Sequence, residues 1–373
     1  MEYKIVTTSA FGVESVMKKE LRTLGINEPK VIEGSCGFEG SSADIARLNM
    51  FLRTADRVYI EIGRFKASSF DELFEGVASL EWENYLDTDG IFIVNGKSKK
   101  SALFALSSCQ KIIKKAIIDR MSKKTRCKTF DESGAAFYIE FSINKDIVTM
   151  LINTSGKGLH KRGYRDLVSE APIKETLASA LIMLSDMSKE NAFIDPFCGS
   201  GTLVIEAARI ALNIASGRDR EFDYQKWNSF DKTVYDLALQ EALDNEKIDT
   251  ELRFSGFDID PDTIKLALRH AERAGVKDKI HLQAQDVASL RSRYAKGTIV
   301  TNPPYGERLL DTNAANKLYS VLGNVYQELD NWSIFVITSA PQFEKFFGKR
   351  CNKNRKLFNA NKECHYYSYF KQE

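Results

Sequence analysis

A chain of 373 residues with 43% hydrophobic and 28% charged residues has the composition of a soluble globular protein, and it is too long for one ordinary core. Its net charge of +2 excludes an overall electrostatic pull on nucleic acid, so any such surface has to come from local clustering. No apolar run approaches the roughly 18 residues of a membrane span, and Cys36, Cys109, Cys127, Cys198, Cys351 and Cys364 form no C-x-x-C pair. The expectation is a cytoplasmic protein with free thiols, no metal site and no disulfide framework.

Residues 3–8 read as a strand, 13–24 carry apolar residues at helical spacing, and 42–52 do so again after a glycine-rich stretch at 34–40. Residues 1–60 are therefore expected to form a small α+β unit. A second unit, 61–155, has strands at 59–65 and 90–96, helices at 69–76 and about 101–123, and a strand at 147–153. One sheet could serve both units.

The long helix is the informative part of this half. Ile113, Ile117 and Met121 fall on one stripe with Ile112 and Ala116 beside them, while Lys111, Lys114 and Lys115 lie off it. Lys97, Lys99 and Lys100 precede the helix, and Lys123, Lys124, Arg126 and Lys128 follow. A charge run is ordinarily a solvated face. Such density inside a nearly neutral chain points instead to a surface that contacts phosphates, without distinguishing RNA from DNA or from an acidic protein.

A second basic stretch runs from Gly158 through His160, Lys161 and Arg162 to Tyr164 and Arg165. Pro172 follows early in an apolar helix with Leu177, Ala180, Leu181 and Leu184, where proline is tolerated, so residues 156–175 are expected to be a linker. Arg162, Tyr164 and Arg165, exposed on a linker across a cleft, could touch substrate phosphate. An ordinary solvated linker is the alternative.

Residues 176–373 repeat strand then helix, the pattern of a parallel, doubly wound sheet. Strands are expected at 192–195, 253–258, 279–286, 298–302 and 333–338, with helices at about 202–215, 261–274 and 314–329. Two strand-like runs around Asn359, Ala360, Asn361 and Lys362 read as a closing antiparallel hairpin. The polar segment 217–251, with Trp227 and a helix-like stretch at 235–243, looks like an insertion after the first helix.

Two turns in this half carry chemistry. Asp195-Pro196-Phe197-Cys198-Gly199-Ser200-Gly201-Thr202 is a glycine-rich turn between a strand and a helix, suited to close approach of a ligand with its anionic end at the helix terminus. It matches neither G-x-G-x-x-G nor G-x-x-x-x-G-K-[ST], which disfavours a nicotinamide cofactor or a nucleoside triphosphate. Asp258, ending the second strand, could accept from ribose hydroxyls, and Asp286, ending the third, from an adenine amine. Each alone is as readily a cap or a turn former. In Asn302-Pro303-Pro304-Tyr305-Gly306-Glu307-Arg308 the paired prolines force the backbone out of the sheet, presenting an amide and an aromatic ring at a strand's carboxyl end. That wall suits a planar ring bearing an amino group.

Taken with Phe65-Lys66-Ala67, His160 to Arg165 and Ala171-Pro172-Ile173, these motifs resemble the class I S-adenosylmethionine-dependent methyltransferases that carry an amino-terminal THUMP RNA-binding domain. The resemblance is to the bacterial group similar to large-subunit ribosomal RNA guanine-N2 methyltransferases, often labelled N6-adenine-specific DNA methylases. It implies a ferredoxin-like and THUMP region, then, over 176–373, a Rossmann-like class I methyltransferase sheet with a carboxy-terminal antiparallel hairpin. It further implies S-adenosyl-L-methionine as cofactor and structured RNA as partner.

By the same resemblance, Asp195, Gly199 and Gly201 line the methionine part of the cofactor, with Pro196, Phe197 and Thr202 in the same turn. Asp258 binds the ribose and Asp286 the adenine, with Ile259 and Val287 as their neighbours and Asn302 completing the set. The Asn302 side-chain oxygen and the Pro303 carbonyl accept hydrogen bonds from the base amine, Tyr305 stacks on the base, and Pro304 completes the catalytic loop. Lys97, Lys99, Lys100, Lys111, Lys114, Lys115, Arg162, Arg165 and Arg308 are the implied RNA contacts, although Glu307 and Arg308 could equally brace the loop as an ion pair. One departure is the long separation of Asp195 and Asp258; should Asp258 not end its strand, Asp260 takes the ribose role.

The expected activity is methylation of an exocyclic base amine in structured RNA, foremost guanine N2 of large-subunit ribosomal RNA. A transfer RNA guanine-N2 enzyme, a DNA adenine-N6 enzyme and a catalytically inactive RNA-binding assembly factor are the alternatives. Cytosine C5 chemistry needs a cysteine nucleophile, and Cys198 sits in the cofactor turn where a small residue is required.

Overall fold

The computed structural model describes residues 2–32, 34–127, 129–166, 173–305 and 312–370. The amino-terminal half contains β1 (Tyr3–Ser9), α1 (Glu14–Thr23), β2 (Lys30–Ile32), β3 (Ser35–Gly40), α2 (Ser42–Phe51), β4 (Ala55–Lys66), α3 (Phe70–Ala78), β5 (Ile91–Lys99), α4 (Leu106–Thr125), β6 (Ala136–Asn144) and β7 (Ile147–Asn153). All seven strands form one sheet in the order β2-β3-β1-β4-β7-β6-β5. The long β4 joins the two units: its first half pairs with β1, as in Ile5 opposite Ile60, and its second half with β7, as in Lys66 opposite Ile147. It therefore runs through the boundary expected at residue 60.

Local chemistry explains most of these bounds. Ser41 with Asp44, and Ser69 with Glu72, form capping boxes that start α2 and α3. The helix α4 begins at Leu106 rather than near residue 101 because Ser101 is held in a turn, accepting from the Asp146 amide and donating to the Lys99 carbonyl. Its apolar stripe is as expected, with Ile113, Ala116, Ile117 and Met121 buried. The strand β6 is not among the elements expected from sequence, although Phe137, Ile139, Phe141 and Ile143 alternate inward at period two.

The carboxy-terminal half contains α5 (Glu175–Leu184), β8 (Ala192–Asp195), α6 (Thr202–Ala211), α7 (Thr233–Asp244), β9 (Arg253–Asp258), α8 (Pro261–Arg273), β10 (Ile280–Ala284), β11 (Gly297–Thr301), α9 (Thr312–Gln327), β12 (Trp332–Thr338), α10 (Phe343–Phe347), β13 (Lys353–Asn359) and β14 (Lys362–Tyr369). The sheet order is β10-β9-β8-β11-β12-β14-β13. Neighbours are parallel from β10 to β12, and β14 runs antiparallel to both β12 and β13. The central strands β8 and β11 are buried throughout, as continuous apolar runs in a covered parallel sheet should be. Chain order reverses between them, which makes their carboxyl ends the switch point where such sheets bind ligands.

The segment 217–251 belongs to the core of the other half. Phe222, Tyr224, Trp227, Phe230, Val234, Ala238 and Ala242 are buried in one cluster with Met17, Leu48, Val58 and Phe137. Trp227 stacks on Phe137 with centroids 4.8 Å apart and donates to the Ala136 carbonyl. Asp87 accepts the amides of Asn228 and Ser229, and Arg47 grips Glu241 with two bonds of 2.8 Å. The insertion thus fastens the carboxy-terminal sheet to the amino-terminal sheet through apolar burial and charge-assisted hydrogen bonds.

The linker is fastened as well, which corrects the expectation for Arg162. Its guanidinium is 1% exposed and donates to the carbonyls of Leu159 at 2.7 Å and Arg53 at 2.5 Å, with Glu206 at 3.7 Å. Tyr164, also expected to be exposed, is buried and donates to Glu206 at 3.0 Å. Arg220, from the insertion, donates to the carbonyls of Ser155, Lys157, Gly158 and Lys161. Arg53, Glu206 and Arg220 are distant from the run in sequence, so a basic stretch that reads as a solvated tether is an internal clamp.

Candidate active site at the switch point

The two motifs meet at the ends of adjacent strands. Asp195, ending β8, is 1% exposed; its Oδ1 accepts from the Thr301 hydroxyl at 2.6 Å and from the Phe197 amide at 3.2 Å. Thr301 ends β11 and immediately precedes Asn302, so one hydrogen bond joins the glycine turn to the acceptor loop. Burial pushes the Asp195 carboxyl up to about 7, against the pull of those two bonds. A buried acid with so little compensation suits a cationic ligand.

The turn itself is open where a ligand would approach. Gly199 has φ +51°, and a Cβ there would meet nothing within 4 Å. Its amide donates to Asp258 Oδ2 at 3.1 Å, and Cys198 donates to the Phe257 carbonyl at 2.8 Å, docking the turn on β9. Gly201 is left-handed at φ +86° and caps α6, with Thr202 following. Pro196 is buried and Phe197 half-buried. Cys198 is 6% exposed and burial holds its thiol well above the usual range, so it offers no thiolate.

Asp258 does end β9, and Asp260 is the N-cap of α8, accepting from the Asp262 and Thr263 amides. The condition for moving the ribose role to Asp260 is therefore not met. Ile259 is 73% exposed beside the Asp258 carboxylate, an apolar face next to a polar anchor. Asp286 is exposed and caps a short turn through the Ala288 amide. The Val287 side chain is buried in the core, so its backbone is the part that can face a ligand. A nucleoside with a cationic tail fits this set, by virtue of the open space over Gly199, the buried Asp195 and the exposed Ile259.

In the acceptor loop Asn302 is half-buried and Pro303 buried. The Tyr305 hydroxyl donates to Asn302 Oδ1, and Lys362 lies 5.1 Å from the Tyr305 ring centroid, covering one face of the expected stacking platform. A residue the sequence did not suggest fixes this loop: fully buried Tyr319, from α9, donates to the Pro304 carbonyl at 2.9 Å. It reads in sequence as one more apolar position of a helix. Glu307 and Arg308 lie outside the described residues.

The expected RNA contacts divide. Lys97, Lys99, Lys100, Lys111 and Lys115 are exposed, whereas Lys114 is half-buried and paired with Glu132 at 2.8 Å. Phe104, between β5 and α4, is 80% exposed among these lysines and had no periodic signal to mark it. Arg165 needs correction: its side chain is 11% exposed, donating to the Thr202 hydroxyl and the Ile173 carbonyl, with Glu175 at 3.6 Å. It braces the start of α6, so the Thr202 hydroxyl is already engaged by protein.

Comparison with known proteins agrees with this architecture. Residues 4–59 match the RlmL ferredoxin-like domain, 67–153 the THUMP domain and 162–368 the RMKL-like methyltransferase domain. The chain is 40% identical over 371 residues to "Putative RNA methyltransferase YpsC" of Bacillus subtilis, covering 99% of this chain and 96% of that protein. It superposes with TM-score 0.95 and 46% identity on the crystal structure of a predicted N6-adenine-specific DNA methylase from Listeria monocytogenes, covering all of this chain and 97% of the other. The crystal structure of SMU.472 complexed with SAH gives TM-score 0.96 and 39% identity, covering all of this chain and 99% of that one.

Proposed function

The chain belongs to the RMKL-like methyltransferases that carry RlmL ferredoxin-like and THUMP domains, and from that premise we propose that it methylates guanine N2 in large-subunit ribosomal RNA. The coarser activity, S-adenosyl-L-methionine-dependent RNA methylation, goes with the family and with relatives such as YpsC. The observation that carries the site assignment is the Thr301 hydroxyl on Asp195, which supports one reaction centre built from the cofactor turn and the acceptor loop.

When bound, S-adenosyl-L-methionine supplies an activated methyl group. The residues proposed to hold it are Asp195, Gly199 and Gly201 at the methionine end, Asp258 with Ile259 at the ribose, and Asp286 at the adenine. The protein's remaining task is to orient an amine whose lone pair is delocalised into its ring. Asn302 Oδ1 and the Pro303 carbonyl accept from that amine and favour the charge that develops on it, so no strong general base is required. Asn302 Oδ1 already accepts from the Tyr305 hydroxyl in this structure, so the incoming amine uses its second lone pair or replaces the phenol as donor. The base must be unstacked to reach this edge.

Two consequences are measurable. Tyr319→Phe removes the bond to the Pro304 carbonyl, worth about 1 kcal/mol net, and is expected to lower kcat by up to about fivefold with cofactor affinity unchanged. An unaltered kcat would relieve Tyr319 of a positioning role. The Asp195 carboxyl is pushed above its unfolded value, so in the ligand-free protein its contribution to stability is full below about pH 4 and is lost as pH rises through about 7. A cationic ligand favours the ionised form. Affinity for S-adenosyl-L-methionine by calorimetry is therefore expected to rise roughly fivefold from about pH 6 to 7.5, and this rise should vanish in Asp195→Asn. An equal rise in both proteins would assign it to other groups.

The assay of the whole reading is transfer of a labelled methyl group by purified protein to ribosomal RNA, transfer RNA and DNA from cells lacking the gene. Incorporation into large-subunit ribosomal RNA is expected; incorporation only into transfer RNA or DNA would replace the substrate.

A further inference from the structure

A cleft of about 240 Å³ lies between the end of β1 and the tip of the β13–β14 hairpin, lined by Phe11, Asp56, Lys174, Leu177, Phe358 and Ala360. A space of roughly 150 Å³ holds a benzene ring, so this one accommodates a nucleobase. Phe11 is 48% exposed and meets Phe358 edge-on, with centroids 5.7 Å apart. A half-exposed aromatic pair at the meeting of two domains is costly to leave in water unless a flat partner covers it.

The hairpin ties this cleft to the reaction centre. Phe358 and Ala360 flank Asn359, whose side chain faces the Tyr305 phenol, and Lys362 of the same hairpin lies over the Tyr305 ring. The cleft's charge is cationic on one side. Lys174 is exposed at its lip, and nearby His160 is pushed down to about 4 by burial and by Lys174, Lys161, Arg162 and Arg57. Two carboxylates lie near: Asp56 accepts from the Thr176 hydroxyl at 3.2 Å, and Glu363 pairs with Lys356. The Glu363 charge is paired and the Asp56 carboxylate is held by a neutral hydroxyl, whereas no ion pair to Lys174 occurs among the described residues.

We propose that this cleft binds an unpaired nucleotide adjacent to the methylated one, its base against Phe11 and Phe358 and its phosphate at Lys174. The substrate RNA is then single-stranded where it enters the site. The proposal rests on the RNA-methyltransferase reading and deepens it.

Fluorescence anisotropy with a labelled single strand of about ten nucleotides and an RNA duplex of about 16 base pairs tests it. Phe11→Ala should weaken single-strand binding by about tenfold, leave duplex binding and cofactor affinity unchanged, and be rescued by Phe11→Trp. Equal weakening on both RNAs, no weakening on the single strand, or failure of the tryptophan to rescue would overturn the subsite. Failure of the underlying reading would look different, since the unaltered protein would then transfer no methyl group to RNA.

Discussion

Asn302→Ala is expected to lower methyl transfer by about a hundredfold or more while leaving S-adenosyl-L-methionine affinity within about twofold. The substitution removes the side-chain oxygen that accepts from the amine as charge develops, a contact made more strongly in the transition state than before it. It should not disturb the cofactor turn, because the bond joining loop to turn is made by the preceding residue, Thr301, to Asp195. The loop's other tether, Tyr319 on the Pro304 carbonyl, also survives. Stopped-time methylation assays beside calorimetric binding of the cofactor separate the two effects. Parallel loss of rate and affinity would mean that Asn302 shapes the cofactor site rather than the acceptor.

Arg162→Ala is expected to destabilise the protein by roughly 3 to 5 kcal/mol, a fall in Tm on the order of 10 °C. The guanidinium is buried with Glu206 at 3.7 Å and satisfies the carbonyls of Leu159 and Arg53, so its removal leaves a buried charge and two acceptors without a partner. The Tyr164 and Ser179 hydroxyls remain on Glu206, which places the loss toward the lower end. Adding Glu206→Gln should recover part of it by removing the stranded charge. Calorimetric melting of the single and double variants checks this. An unchanged Tm with weakened RNA binding would instead return Arg162 to the RNA surface.

What the sequence revealed was local. The start of α8 was legible because Asp260 and Pro261 are a cap and an N1 proline, and β8 and β11 were legible as short apolar runs, the first ending in Asp195 and the second running into Asn302. The resemblance of the motifs named the chemistry, and the bond from Thr301 to Asp195 supplies the physical link between them. What stayed hidden depends on partners far along the chain. Trp227 stacks on Phe137, Arg220 clamps the linker carbonyls and Lys114 pairs with Glu132, and no spacing rule carries those contacts. The glycine-rich stretch that became β3 shows pairing overriding propensity, since Gly37 and Gly40 lie opposite Val6 and Tyr3 of β1. Among the elements that were not expected, β6 was legible in its alternating Phe137, Ile139, Phe141 and Ile143.

The proposed reaction is methylation of guanine N2 in large-subunit ribosomal RNA at the meeting of β8 and β11. Mass spectrometry of nucleosides from separated ribosomal RNA, transfer RNA and DNA tests it most directly, comparing a deletion strain carrying the wild-type gene with one carrying Asn302→Ala. N2-methylguanosine is expected to be missing from large-subunit ribosomal RNA in the Asn302→Ala strain alone. Unchanged ribosomal RNA, with a methylated base missing from transfer RNA or DNA instead, would contradict it.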